Sequence, residues 1–287
     1  MTVTARSELA TRVAVPLTVL MCRPSHFTVS YRINPWMNPE VPTDTALAVA
    51  QWETLRAAFE QCDFDVHEIE PIEGLPDMVF AANGGLVIDG KAYSASFHYP
   101  QRQAEGPAYA TWLEDAGYAV HRSTVVNEGE GDFLAIGDVI LAGHGFRTDP
   151  ASHDEAALVF DRQVVPLHLV RADFYHLDTA LAVLDDRPGY EHVAYLPSAF
   201  DAESLVELRR RFPVGIEVAE EDAAVFGLNA VSDGLHVITA ARAAGFQAQL
   251  RAHGYEPIGV DLSELLLGGG GAKCCTLALR GQKEETS

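Results

Sequence analysis

The chain is poor in several things, and each shortage excludes something. It has four cysteines in 287 residues: Cys22, Cys62, Cys274 and Cys275. They are too few and too irregularly spaced for a disulfide framework, and no CxxC pair suggests zinc. No apolar run approaches the ~18 residues of a membrane span, and the N-terminus has no apolar stretch followed by a small-residue cleavage site. The expectation is a reduced, soluble, cytoplasmic protein with no membrane partner. Basic residues are scarce as well: 20 Lys and Arg against 41 Asp and Glu, a formal charge of −21. An acidic surface repels phosphate backbones, so nucleic acid is not an expected partner, whereas a small cation is attracted. No Pro/Ser-rich linker or run of like charge divides the chain, and apolar residues at 48% supply a core. One domain over residues 14–287 is expected, preceded by a loose arm over residues 1–13. A homo-oligomer is compatible with these features.

What is present is a repeated order of elements. Val15 to Cys22 reads as a strand. Asp44 caps a helix running to about Gln61, with Leu47, Ala50, Leu55 and Phe59 among its apolar positions. Phe64 to Ile69 alternates as a strand, and Asp77 to Phe97 reads as a hairpin turning at Asp89-Gly90. Helix, strand and two hairpin strands recur in this order about five times, at a spacing of roughly 45–60 residues. The last unit, ending in a strand from Cys275 to Leu279, has only one hairpin strand, and Val15 to Cys22 has no hairpin partner. Joining the two completes a module and closes a ring, which removes exposed edges. The expected fold is an α/β ring of five helix–strand–hairpin modules.

Polar residues gather where the modules' strands meet loops. Asp77 and Asn83 flank an apolar stretch expected as a short strand, with glycines after Asn83. Asn127-Glu128-Gly-Glu130-Gly-Asp132 places three carboxylates between two strands. His176 lies between Asp173 and Asp178 at the entrance to an apolar strand. Near the C-terminus, Gly268-Gly-Gly-Gly271-Ala-Lys-Cys274-Cys275 runs into the final strand, where adjacent side chains point to opposite faces. Glycines let a backbone approach a ligand closely. The two cysteines are either small buried hydrophobes or a nucleophile held by rigid structure. A thiolate takes a histidine as acid/base partner. Carboxylates orient that histidine and match the donors of a guanidinium, and Arg102 or Arg147 suits a substrate carboxylate. This set fits hydrolysis at the guanidino carbon of an arginine-like amino acid, with neither metal nor cofactor.

These motifs resemble the pentein guanidino-group-modifying superfamily: arginine deiminases, dimethylarginine dimethylaminohydrolases, arginine dihydrolases and amidinotransferases. The resemblance runs from about Leu20 to Leu279. It rests on Gly-Gly-Ala-Lys-Cys274-Cys-Thr, Phe-Tyr-His176-Leu-Asp178-Thr, Glu128-Gly-Glu-Gly-Asp132 and Pro76-Asp77-Met-Val-Phe-Ala-Ala-Asn83. It implies a five-bladed pseudosymmetric α/β propeller. By position, it implies Cys274 as nucleophile and His176 as general acid/base, oriented by Glu128 with Glu130 as rival. Asp178 and Asp132 would lie near the guanidinium, and Asp77, Arg102 and Arg147 at the amino and carboxylate ends. Deiminases and dimethylarginine hydrolases carry acids where Ala82-Asn83 stand here. Asn83, with the early loop containing Asn34, looks more like the arginine dihydrolase branch, which converts arginine to ornithine, ammonia and carbon dioxide. Dimethylarginine hydrolysis, arginine deimination and an inactive binding propeller are the alternatives.

Overall fold

The computed structural model describes residues 11–281. Its fifteen strands are β1 (Thr18–Cys22), β2 (Asp65–Ile69), β3 (Gly85–Ile88), β4 (Lys91–Ser94), β5 (Ala119–His121), β6 (Phe133–Ile136), β7 (Val139–His144) and β8 (Gln163–His168), then β9 (Leu181–Asp185), β10 (His192–Tyr195), β11 (Ile216–Glu217), β12 (Val231–Ser232), β13 (His236–Ala240), β14 (Glu256–Val260) and β15 (Leu277–Ala278). They make five three-stranded sheets: β3-β4-β5, β6-β7-β8, β9-β10-β11, β12-β13-β14 and β15-β1-β2. Each sheet is an antiparallel pair plus one parallel strand. A helix crosses over before each parallel strand: Thr45–Gln61, Glu105–Asp115, Ala151–Phe160, Ala202–Arg211 and Ala244–Ala252. Parallel pairing needs such a crossover, whereas a hairpin needs only a turn.

The ring closes as expected. β15, from the end of the chain, pairs antiparallel with β1, Val19 opposite Ala278 and Leu20 opposite Leu277. The result is a five-bladed α/β propeller. The hydrogen-bonded blade is hairpin, helix, parallel strand, a cyclic shift of the order the sequence suggests. The Asp89-Gly90 turn has φ of 52° and 75°, the double positive φ of a type I′ hairpin. Asp44 caps the first crossover helix by accepting from Leu47 N at 3.0 Å. That helix buries Ala48, Trp52, Leu55 and Phe59, an i, i+4, i+7, i+11 stripe worth about 1.5–3 kcal/mol for each large side chain. Leu47 and Ala50, counted with its apolar positions in the sequence, face solvent.

Three expectations change. Asp77 to Asn83 is not a strand but two 3-10 turns, Pro76–Val79 and Ala81–Gly84. Cys274 and Cys275 lie in a turn ahead of β15, so strand alternation does not set their directions. The last residues of the supposed loose arm are docked: Arg12 bonds Asp185 and the His253 carbonyl and covers the Tyr255 ring at 4.2 Å. Residues 1–10 lie outside the described residues. Among the described residues, no helix is long and apolar enough to cross a membrane.

Candidate active site

The repeat builds the site. Asn83, Asp132, Asp178, Asn229 and Cys274 stand one to three residues ahead of Gly85, Phe133, Leu181, Val231 and Leu277, the first residues of the five leading hairpin strands. All five are buried. A position repeated in every blade thus delivers five polar side chains to the interior. Seven of the ten residues singled out from the sequence line one cavity of about 250 Å³: Asn34, Asp77, Asn83, Arg102, Arg147, His176 and Cys274. A larger cavity of about 700 Å³, against Lys273 and Arg280, contains neither Cys274 nor His176.

Cys274 is 3% exposed. Its thiol donates to Asp178 Oδ2 at 3.3 Å and accepts from Asn229 Nδ2 at 3.1 Å. Asn229 Oδ1 takes the Cys274 backbone N–H at 3.0 Å, and its Nδ2 also reaches the Asp178 carbonyl at 3.0 Å. Burial first, and then the Asp178 charge, pushes the thiol well above its ordinary range. Burial also pushes Asp178 up to about 7, against the pull of Lys273. Asp178 Oδ1 has no hydrogen-bond partner.

The histidine side is built differently. His176 Nε2 donates to Glu128 Oε2 at 2.8 Å, and Arg147 Nη1 donates to the same oxygen at 2.9 Å. Arg147 is stacked between Tyr99 and Tyr175 and donates to the Ile33 carbonyl. Burial would raise the Glu128 carboxyl, but Arg147 and His176 overcome it and hold the group far below the usual carboxylate range. Of the two acids, it is Glu128 that contacts His176. Glu130 is turned away, paired with Lys273 at 2.8 Å and with Arg280, and it accepts from Ala278 N. Asp132 does not line the cavity; its Oδ1 accepts from Leu177 N at 3.0 Å and fixes the backbone after His176.

At the far end, Asp77 Oδ2 accepts from Tyr31 at 2.8 Å while Oδ1 has no partner, and burial raises the carboxyl. Arg102 makes four hydrogen bonds inside the protein: two to Glu105, one to Asn83 Oδ1 and one to the Asp77 carbonyl. Only one of its five N–H donors is left over. Asn83 bridges Arg102 to the Glu128 carbonyl. Asn34 is a staple, joining its loop to the Gly268 carbonyl and to Tyr175. The glycine run passes under these groups. Gly269 has φ +85°, and a Cβ on Gly270 would stand 2.2 Å from the Phe80 ring. Sequence reasoning missed Asn229, although it occupies the same strand-entry position as Asn83 and Asp178.

No family model matches the chain. It is 52% identical over 259 residues to a dimethylarginine dimethylaminohydrolase of Mycobacterium tuberculosis, covering 90% of this chain and 84% of that protein. It is 37% identical to the bifunctional arginine dihydrolase/ornithine cyclodeaminase ArgZ of Synechocystis, covering 90% of this chain and 37% of that one. The substrate-bound N-terminal domain of ArgZ superimposes with a TM-score of 0.87 at 35% identity, over 93% of this chain and all of that domain. The propeller and its central cavity thus belong to the pentein class of guanidino-modifying enzymes. Within it, this chain belongs to the family that includes the dimethylarginine dimethylaminohydrolases and arginine dihydrolases, hydrolases of C–N bonds in linear amidines.

Proposed function

We propose that the chain hydrolyses the guanidino carbon of an arginine-type amino acid through Cys274, and that asymmetric dimethylarginine, giving citrulline and dimethylamine, is its leading substrate. One observation carries the substrate class. Two buried carboxylates, Asp178 and Asp77, each keep an unpartnered oxygen, beside the nucleophile and at the far end of the cavity respectively. Unpaired buried carboxylate oxygens are costly. An amino acid with a guanidinium at one end and an ammonium at the other supplies both partners. Arg147, with fewer internal bonds than Arg102, suits its carboxylate. The preference for a methylated substrate rests on the 52% identical relative. It departs from the dihydrolase reading drawn from Asn83.

In this scheme the resting thiol is neutral. The guanidinium enters beside Asp178 and Cys274, and its charge favours loss of the thiol proton, which passes to His176. The thiolate sulfur bonds to the guanidino carbon. The C–N bond to the departing amine breaks as His176 protonates that nitrogen, leaving a thiouronium on Cys274. His176 then takes a proton from water, which adds to the same carbon, and the sulfur leaves to give the ureido product.

A second reading, arginine to ornithine, is favoured by Asn83, a neutral amide suited to hold a neutral ureido group for another round of hydrolysis. Incubation with arginine and with asymmetric dimethylarginine, followed by mass identification of products, separates the two. Citrulline and dimethylamine are expected. Ornithine from arginine with dimethylarginine untouched would give the second reading instead, and no product from either would refute both.

A further inference from the structure

Away from the cavity, three side chains distant in sequence meet at one edge of the ring. Cys62 ends the first crossover helix, Asp233 stands in the turn between β12 and β13, and His236 opens β13. The Cys62 Sγ, a carboxylate oxygen of Asp233 and a ring nitrogen of His236 all lie within 4.8 Å of one another. Cys62 and Asp233 are 5% and 4% exposed. We propose that these residues form a second site, unrelated to turnover, for a zinc-like divalent cation.

The donor set of one thiolate, one imidazole and one carboxylate oxygen is that of zinc, and is too soft for magnesium or calcium. Three protein ligands leave a fourth tetrahedral position for water. Ligands in such a shell stand roughly 3.3–3.7 Å apart, so the present cluster is near the needed size. Asp233 Oδ1 is fixed by the backbone N–H groups of Leu235 and His236, at 2.8 and 2.7 Å. Its Oδ2 meets His236 Nδ1 at 2.7 Å, a contact that a metal would replace. On the other side of the ring, Glu256 stands 3.9 Å from His236 Nε2, where a carboxylate orients a metal-bound histidine. The Cys62 Sγ has no hydrogen-bond partner among the described residues. Binding displaces the Cys62 proton and leaves the ligand set and a divalent ion with no net charge. It would tie the crossover helix of the closing blade to the β12–β13 turn of its neighbour.

Cobalt(II), whose thiolate complexes absorb in the near ultraviolet, tests this in the full chain carrying Cys274→Ser, which removes the catalytic thiol as a competitor. One equivalent of cobalt with a sulfur-to-metal band is expected. The band should vanish when Cys62→Ser is added, and weaken at least tenfold in apparent affinity with His236→Gln. Cys62→Ser in the otherwise unaltered chain should keep its turnover, which shows that it folds. No band in the Cys274→Ser chain, or a band that survives Cys62→Ser, would overturn the site.

Discussion

The two sides of the catalytic cavity hold their charges in opposite ways. On the His176 side the orienting carboxylate is fully paired: Glu128 takes His176 and Arg147 on one oxygen and the His98 backbone N–H on the other. Around Cys274, Asp178 keeps an idle oxygen and a carboxyl raised to about 7, and the thiol is raised with it. The first side is preorganised, and the second is destabilised until a cation arrives. Strain of this kind is stored where binding is to be driven, and it lowers the stability of the empty protein.

The sharpest break is at the sulfur. Cys274→Ser should lose roughly 10⁴-fold or more in turnover while the far-ultraviolet spectrum and melting temperature stay close to those of the parent. Turnover that persists assigns the wrong nucleophile. Next is the paired side. Glu128→Gln should lower kcat roughly 10²–10⁴-fold, because His176 loses the group that orients it. Glu130→Gln provides the contrast. It strands buried Lys273 and half-buried Arg280, so it should cost roughly 3–5 kcal/mol of stability in denaturant unfolding and alter kcat far less. Equal kinetic effects from the two would remove the distinction between them.

The smallest effect concerns the unpaired side. An aspartate ionises near 3.9 in the unfolded chain, and Asp178 near 7 in the folded one. Between these values the unfolded state gives up its proton first. Stability from this group is therefore complete below about pH 4, falls as pH rises to about 7, and stays reduced above that. Asp178→Asn removes the penalty. At pH 8 without ligand its melting temperature should exceed the parent's by about 2–6 °C, although catalysis is lost. A lower melting temperature at pH 8 would mean that the Asp178 charge is already compensated.

Much of this was legible in the sequence. Asp44, Asp89-Gly90 and the glycine stops punctuate the modules locally, and the unpaired strands at the two ends required ring closure. That Cys274 and His176 share one cavity, with Glu128 against the histidine, could be anticipated because a histidine between acids and a thiol after four glycines are unusual in so short a span. Other features could not be read. Met78-Val-Phe-Ala-Ala82 is apolar throughout because it is buried on all sides, so a strand and a pair of 3-10 turns look alike. Glu128 and Glu130 are separated only by which way a tight turn aims them. Asn229 and the Cys62–Asp233–His236 cluster depend on contacts across more than 40 residues, which periodicity does not carry.

The most direct test is the ultraviolet thiolate absorbance of Cys274, taken as the difference between the parent and Cys274→Ser across pH 6 to 9, with and without a non-hydrolysable guanidinium amino acid. The thiol should stay protonated throughout in the empty protein and ionise within this range when the cation is bound. A thiolate already present at neutral pH in the empty protein would contradict activation by the substrate's own charge.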